Sequence, residues 1–156
     1  MGGGQQQLQQ LSQELQALDQ EIEGLEGEVS DLEDEKAEID EAVEAIETLE
    51  TGSTVQVPLG GDAYLRAEVQ DIDEIIVSLG ANYAAEQNQS DAVEALRRKQ
   101  DMLDEEIASL RGQIEELEEE SEQIEQQAMQ AQQQMQQQQM QQMQQMQAES
   151  EDGDDE

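Results

Sequence analysis

The sequence predicts an α+β fold, a long antiparallel coiled-coil hairpin of two helices joined by two β-hairpins that form part of an oligomeric β-barrel hub. Three observations carry that expectation. Apolar residues step alternately by three and four along both ends of the chain, the period of a coiled-coil seam. Between those ends, residues 51–89 switch to a period of two, with turn residues separating β-branched runs. The composition is also too poor for an ordinary globular core: 35% of the 156 residues are hydrophobic, with two Tyr and no Phe or Trp, against roughly 45–50% apolar residues in soluble domains.

The first helical region covers 1–50. Leu8, Leu15, Ile22, Val29 and Val43 take heptad position a, and Leu11, Leu18, Leu25, Leu32, Ile39 and Ile46 take position d, with Lys36 the one break. At 1.5 Å per residue this is a helix roughly 60 Å long. Gly24 and Gly27 fall on its outer face, so they weaken the helix without opening the seam. Thr51-Gly52-Ser53 ends it. Thr54 to Leu59 alternates with a period of two, Gly60-Gly61-Asp62 turns, and Ala63 to Val69 returns with Tyr64 on one face and Leu65 on the other. Ile75 to Leu79, the turn Gly80-Ala81-Asn82 and Tyr83 to Glu86 make the second hairpin. Pro58, near the end of its strand, suits an edge or a bulge.

Ser90 followed by Asp91 reads as a helix N-cap and opens a second helical region over 90–148. There Val93, Ile107 and Ile114 take position a, Leu96, Leu103, Leu110, Leu117 and Ile124 take position d, and Gln100 and Ser121 are polar a positions. The seam thins to Ala128, Ala131 and Met135, and no charged residue stands between Gln126 and Ala148. Residues 149–156 read as an acidic disordered tail.

Two such helices pair either as separate parallel dimers or as one hairpin. With Ile46 facing Val93, antiparallel pairing sets Val43 against Leu96, Leu25 against Ile114 and Leu15 against Ile124. The polar exceptions fall in adjacent layers, Lys36 opposite Leu103 and Gln100 opposite Ile39. Either the two find each other and pin the register, or Lys36 reaches out to solvent. At the free end Leu11 faces Ala128 and Leu8 faces Ala131, which predicts a loosely packed tip with leucine and methionine side chains partly available.

Composition excludes whole classes of function. With 41 Asp+Glu, 6 Lys+Arg and a net charge of −35, no basic patch exists to meet nucleic-acid phosphates or an anionic membrane surface. Screening in concentrated salt removes most of the repulsion between neighbouring carboxylates, and such a carboxylate-rich, Lys-poor surface resembles proteins of salt-accumulating archaea. Without His or Cys there is no zinc site, thiol or imidazole catalyst. No phosphate-cradling G-x-x-x-x-G-K-[ST] loop is present, and Asp71-Ile72-Asp73-Glu74 lacks the glycine of a calcium loop. The chain reads as neither enzyme nor cofactor binder. Its opening residues lack the basic and apolar regions of a signal peptide, and no run of about 20 apolar residues spans a membrane, so the expected compartment is the cytoplasm.

Four short strands poor in aromatics cannot make a core alone, and open edges invite pairing with other chains. Val55, Val57, Leu59, Tyr64, Leu65 and Val69 of the first hairpin are expected to serve assembly. So are Ile75, Ile76, Val77, Leu79 and Tyr83 of the second. At the other end, flexible thioethers mould to varied partners, and Met129, Met135, Met140, Met143 and Met146, with Leu8 and Leu11, are the candidate contacts for such partners. The bland alternative for this segment is a glutamine tail that touches nothing.

Helix, double hairpin, helix, together with Val57-Pro58-Leu59-Gly60, Ala63-Tyr64-Leu65-Arg66-Ala67 and Ile75-Ile76-Val77-Ser78-Leu79-Gly80-Ala81-Asn82-Tyr83, resembles the alpha class of archaeal prefoldin subunits. The second hairpin selects alpha over beta. The resemblance implies a jellyfish-shaped hexamer of two alpha and four beta prefoldin subunits, an ATP-independent holdase that grips unfolded polypeptide clients and passes them to a group II chaperonin. The Gln/Met segment after Ala128 departs from it in length. The rival reading is a structural coiled-coil scaffold or adaptor without chaperone activity.

Overall fold

A computed structural model describes residues 2–152. The chain runs α1 (Gly2–Thr48), β1 (Thr54–Gly60), β2 (Ala63–Glu68), β3 (Ile75–Gly80), β4 (Tyr83–Gln87) and α2 (Gln89–Asp152). It divides into two compact units. One holds Met1–Gly27 with Leu110–Glu156, and the other holds Glu28–Ser109.

In the first unit, α1 and α2 pair through the seam that the heptads predict. Leu11, Leu18 and Ile124 form a buried cluster, with Leu15, Leu117 and Ala128 packed against it. The expected register also brings the start of α1 to Met135: a Cβ built on Gly4 would stand 3.0 Å from the Met135 Cγ and Sδ. The thioether lies close over the Gly4 backbone, so a side chain at Gly4 would make the flexible Met135 give by a few tenths of an ångström. Gly24 and Gly27 meet open space instead, as their place outside the seam requires. The charge-free segment continues as helix, and α2 passes the boundary expected at 148 and ends at Asp152. Residues 153–156 of the expected acidic tail lie outside the described residues.

The second unit contains both hairpins. Each is a separate two-stranded antiparallel sheet, and the two share one turn design. Gly61 and Asp62 (φ 58° and 62°) and Ala81 and Asn82 (φ 47° and 61°) fill two-residue loops with both positions left-handed, the type I′ geometry that matches strand twist. In each hairpin the register then shifts by one residue, between Pro58 and Gly60 and between Ser78 and Gly80. Pro58, suited to an edge or a bulge, thus has both, because its strand is an edge and the register shifts beside it, and Leu79 repeats the bulge. Ala81 bears a side chain where the left-handed backbone crowds Cβ, a cost of about 1–2 kcal/mol for an L-residue. Ala81→Gly is expected to stabilise the second hairpin by about 1 kcal/mol, read as slower amide exchange across β3 and β4. Unchanged exchange would place the strain elsewhere.

The junctions are tied by side chains. Gln89 Nε2 donates to the carbonyls of Ile46 (2.6 Å) and Leu49 (3.4 Å), satisfying acceptors that the end of α1 leaves open. The Asp91 amide donates to Asn88 Oδ1 at 2.8 Å, and the Ala92 amide to the Asn88 carbonyl at 2.9 Å. The N-cap of α2 is thus Asn88, not Ser90. Both types cap well, and β4 ends at Gln87, which leaves Asn88 in the flanking position. Between the hairpins, the Ile72 amide donates to Thr51 Oγ1 and the Asp73 amide to Asp71 Oδ1.

Candidate functional site

Two surfaces stand out, one in each unit. In the second unit the hairpins differ in how their apolar faces are covered. Alternation puts Val77 and Ala85, cross-strand partners, on one face of the second hairpin. That face is closed by the chain itself: Val77, Ala92 and Ala95 form a buried cluster joined by Ile46, Ile75 and Leu96. Val77 is 5% exposed and Ala92 fully buried. Val77 is therefore withdrawn from the residues expected to meet another chain, because alanines on α2 leave room for the sheet to sit down on the helix. Ile75 is half-buried in the same place. Ile76, Leu79 and Tyr83 remain uncovered at 75%, 50% and 72%.

Among the described residues, no residue of the first hairpin joins a buried cluster. Val57 and Leu65 are cross-strand partners and lie 40% and 54% exposed, with Leu59 and Tyr64 more open still. Val55 and Val69 are half-buried. Every strand in two-stranded sheets is an edge, so unpaired backbone groups run beside these apolar faces.

The polar layer expected in the seam also lies in this unit. Gln100, the one buried polar residue among those described, donates to Asp40 Oδ1 at 2.8 Å and to the Lys36 carbonyl at 3.1 Å. Arg97 donates to Gln100 Oε1 at 2.7 Å and pairs with Asp40. Lys36 turns its ammonium outward to Asp104. Gln100 therefore meets the Lys36 backbone while the Lys36 side chain reaches the surface, so each of the two readings held in part. Hydrogen bonds from Gln100 and then Arg97 hold the Asp40 carboxyl below its ordinary 3.8, and the hydrogen bond to Asp104 raises Lys36 above its ordinary 10.5.

The linkage fixes the signs. The Asp40 contribution is complete above its ordinary value and is lost as pH falls through its depressed one. The Lys36 contribution is complete below 10.5 and is lost as pH rises through its raised one. Acid also relieves carboxylate repulsion along both helices, so only a difference isolates the layer. The stability gap between the wild-type chain and Asp40→Asn is expected to narrow as pH falls below 3.8, in thermal melts at molar KCl. A constant gap would mean that the charge on Asp40 is idle.

In the first unit, the expected contact residues divide. Met129, Met140, Met143 and Met146 are 62%, 67%, 71% and 74% exposed. Met135 is half-buried against Gly4, and Leu8 is half-buried. Leu11 is 8% exposed inside the cluster, which corrects the expectation that it is available. Opposite a small alanine, a leucine sinks into the seam instead of standing loose. Among the described residues, no helix is long and apolar enough to cross a membrane.

Ala92, Ala95, Asn88 and Gln89 escaped the sequence reading. Only Asn88 carried a signal, an Asn three residues before an Asp at the start of an apolar-periodic run.

Comparison with known proteins agrees with this geometry. The family model described as "Prefoldin subunit" matches residues 18–141. A prefoldin subunit alpha of Halorubrum lacusprofundi is 74% identical over 107 residues, covering 69% of this chain and 70% of that protein. One of Halobacterium salinarum is 68% identical over 116 residues, covering 74% and 71%. Among solved structures, a chain from the cryo-EM structure of filamentous PFD from Methanocaldococcus jannaschii aligns with a TM-score of 0.64 and 28% identity, over 72% of this chain and 95% of that one.

Proposed function

The chain belongs to the prefoldin subunit family, a family of chaperone subunits, and we propose that it works as the alpha subunit of an ATP-independent holdase in the cytoplasm. The uncovered faces of the two hairpins merge with those of beta-type subunits into shared β-barrels, two alpha chains with four beta. The far end of α2 contacts non-native polypeptides, which pass to a group II chaperonin.

The observation that carries client contact is the exposure of four methionines in a helical segment without a single charge, in a chain of net charge −35. Unbranched thioether side chains adapt to many shapes. Without local carboxylates, acidic clients are not repelled. Met140, Met143 and Met146 stand open to solvent, so their apolar atoms are free for a partner.

The test is suppression of aggregation of a denatured client, without nucleotide and in molar KCl, by the chain co-purified with its partner subunits. The full chain is expected to protect. Deleting 126–148 is expected to leave assembly intact, by native mass spectrometry, while removing most of the protection. Equal protection by the deleted form would move client contact elsewhere. No protection by either form would favour a scaffold whose hairpins only oligomerise it.

A further inference from the structure

We propose that Met140, Met143 and Met146 form a reversible oxidation site, at which peroxide converts thioethers to sulfoxides and switches off this end of α2 as an apolar contact surface. The chemistry stands on exposure and surroundings; its consequence rests on the client-contact reading above.

The chain has neither Cys nor His, which leaves thioethers as its most readily oxidised side chains. Met140, Met143 and Met146 are 67%, 71% and 74% exposed. At spacings of three they lie on adjoining strips of one helix face, and only Gln separates them. An oxidant therefore reaches each sulfur from solvent. Met135 is the protected counterpart, half-buried with its Cγ and Sδ seated over Gly4. Met102 is equally open at 69% but stands among Asp101, Asp104 and Glu105 in the other unit. It shares the chemistry without belonging to the contact face.

In the step itself, a sulfur lone pair attacks one oxygen of hydrogen peroxide. The S–O bond forms as the O–O bond breaks, the transferred oxygen gives up its proton, and the departing hydroxide takes it to leave as water. Sulfur loses two electrons and the peroxide gains them. A sulfoxide reductase drawing two electrons from a dithiol restores the thioether and releases the oxygen as water. Oxidation replaces a flexible apolar group by a polar one. Losing part of the apolar contact of three side chains amounts to about a tenfold drop in client affinity.

The full chain, assembled with its partner subunits, is treated with hydrogen peroxide in molar KCl, and sulfoxides are mapped by mass spectrometry beside the aggregation assay. Met140, Met143 and Met146 are expected to oxidise well before Met135, with about a tenfold weaker client affinity that methionine sulfoxide reductases recover. The triple variant Met140→Leu, Met143→Leu, Met146→Leu keeps apolar surface without sulfur, and its protection is expected to survive peroxide even though Met102 and Met129, 69% and 62% exposed, oxidise. Oxidation of Met135 at the same rate would overturn the site. So would equal peroxide sensitivity in the triple variant, or full protection by an oxidised wild-type assembly. An untreated assembly that fails to protect would refute the client-contact reading instead, and the order of oxidation would still decide the site.

Discussion

Replacing Ala92 by Leu is expected to prise the second hairpin off the helices that carry it. Ala92 has no exposed surface, and Ala95 and Val77 beside it are 4% and 5% exposed. A leucine there adds three heavy atoms where no space remains, an overpacking cost of about 1–3 kcal/mol. The hairpin has little else to hold it. Two strands alone are marginal in water, and its outer face, with Ile76 75% exposed, contributes nothing within the chain. Undocking therefore unfolds β3 and β4 as a unit. Amide exchange should show them losing protection while β1, β2 and the seam around Val43 keep theirs. Glu94→Leu, an exposed position on the same turn, supplies the control and should change nothing. Retained protection in Ala92→Leu would mean that the sheet is held by its turn and ladder, not by the alanine floor.

That dependence also marks where the sequence stopped being legible. The seam could be read because a heptad repeats: every position assigned to a or d, polar ones included, is buried or half-buried from Leu8 to Met135. The hairpins could be read because Gly60-Gly61-Asp62 and Gly80-Ala81-Asn82 sit between β-branched runs, and Gly with Asn or Asp tolerates the left-handed backbone of a tight turn. The docking of one hairpin left no such trace. Ala92 and Ala95 are ordinary helix formers off the seam, indistinguishable from residues placed there for propensity. Ile76 and Val77 are both apolar, so alternation alone cannot say which of them turns inward. The polar layer was half legible. Gln100 in an apolar register announced itself, but its partners Asp40 and Arg97 lie on the flanks, where charged residues are everywhere in this chain. Leu11 shows the opposite failure, a residue whose small partner suggested looseness and in fact made room.

The second large effect is expected from salt. In the first unit, Asp19, Ser121 and Glu115, Glu118, Glu119, Glu122 and Glu125 line one groove with Ile22, and no cation is among them. Glu115 with Glu119, and Glu118 with Glu122, stand one helical turn apart, where like charges destabilise a helix by roughly 0.2–0.5 kcal/mol per pair. The same repulsion recurs along α1, and 6 Lys+Arg cannot neutralise 41 Asp+Glu. Near 1 M salt the Debye length is about 3 Å and neighbouring turns scarcely sense one another; at about 0.1 M it is about 10 Å, longer than the spacing of one turn, and they still repel. The thin seam has little to set against that, since most of its side chains are only half-buried. Dilution from molar KCl is therefore expected to remove most of the helical circular dichroism signal, and restoring KCl to return it. Substituting Gln at Glu115, Glu119 and Glu122 should shift the midpoint to lower KCl. Sucrose, which favours compact states without screening charge, should rescue the wild-type chain far less than KCl does. A midpoint unmoved by the three substitutions, or a rescue by sucrose equal to that by KCl, would assign the salt requirement to burial of apolar surface and not to the carboxylates.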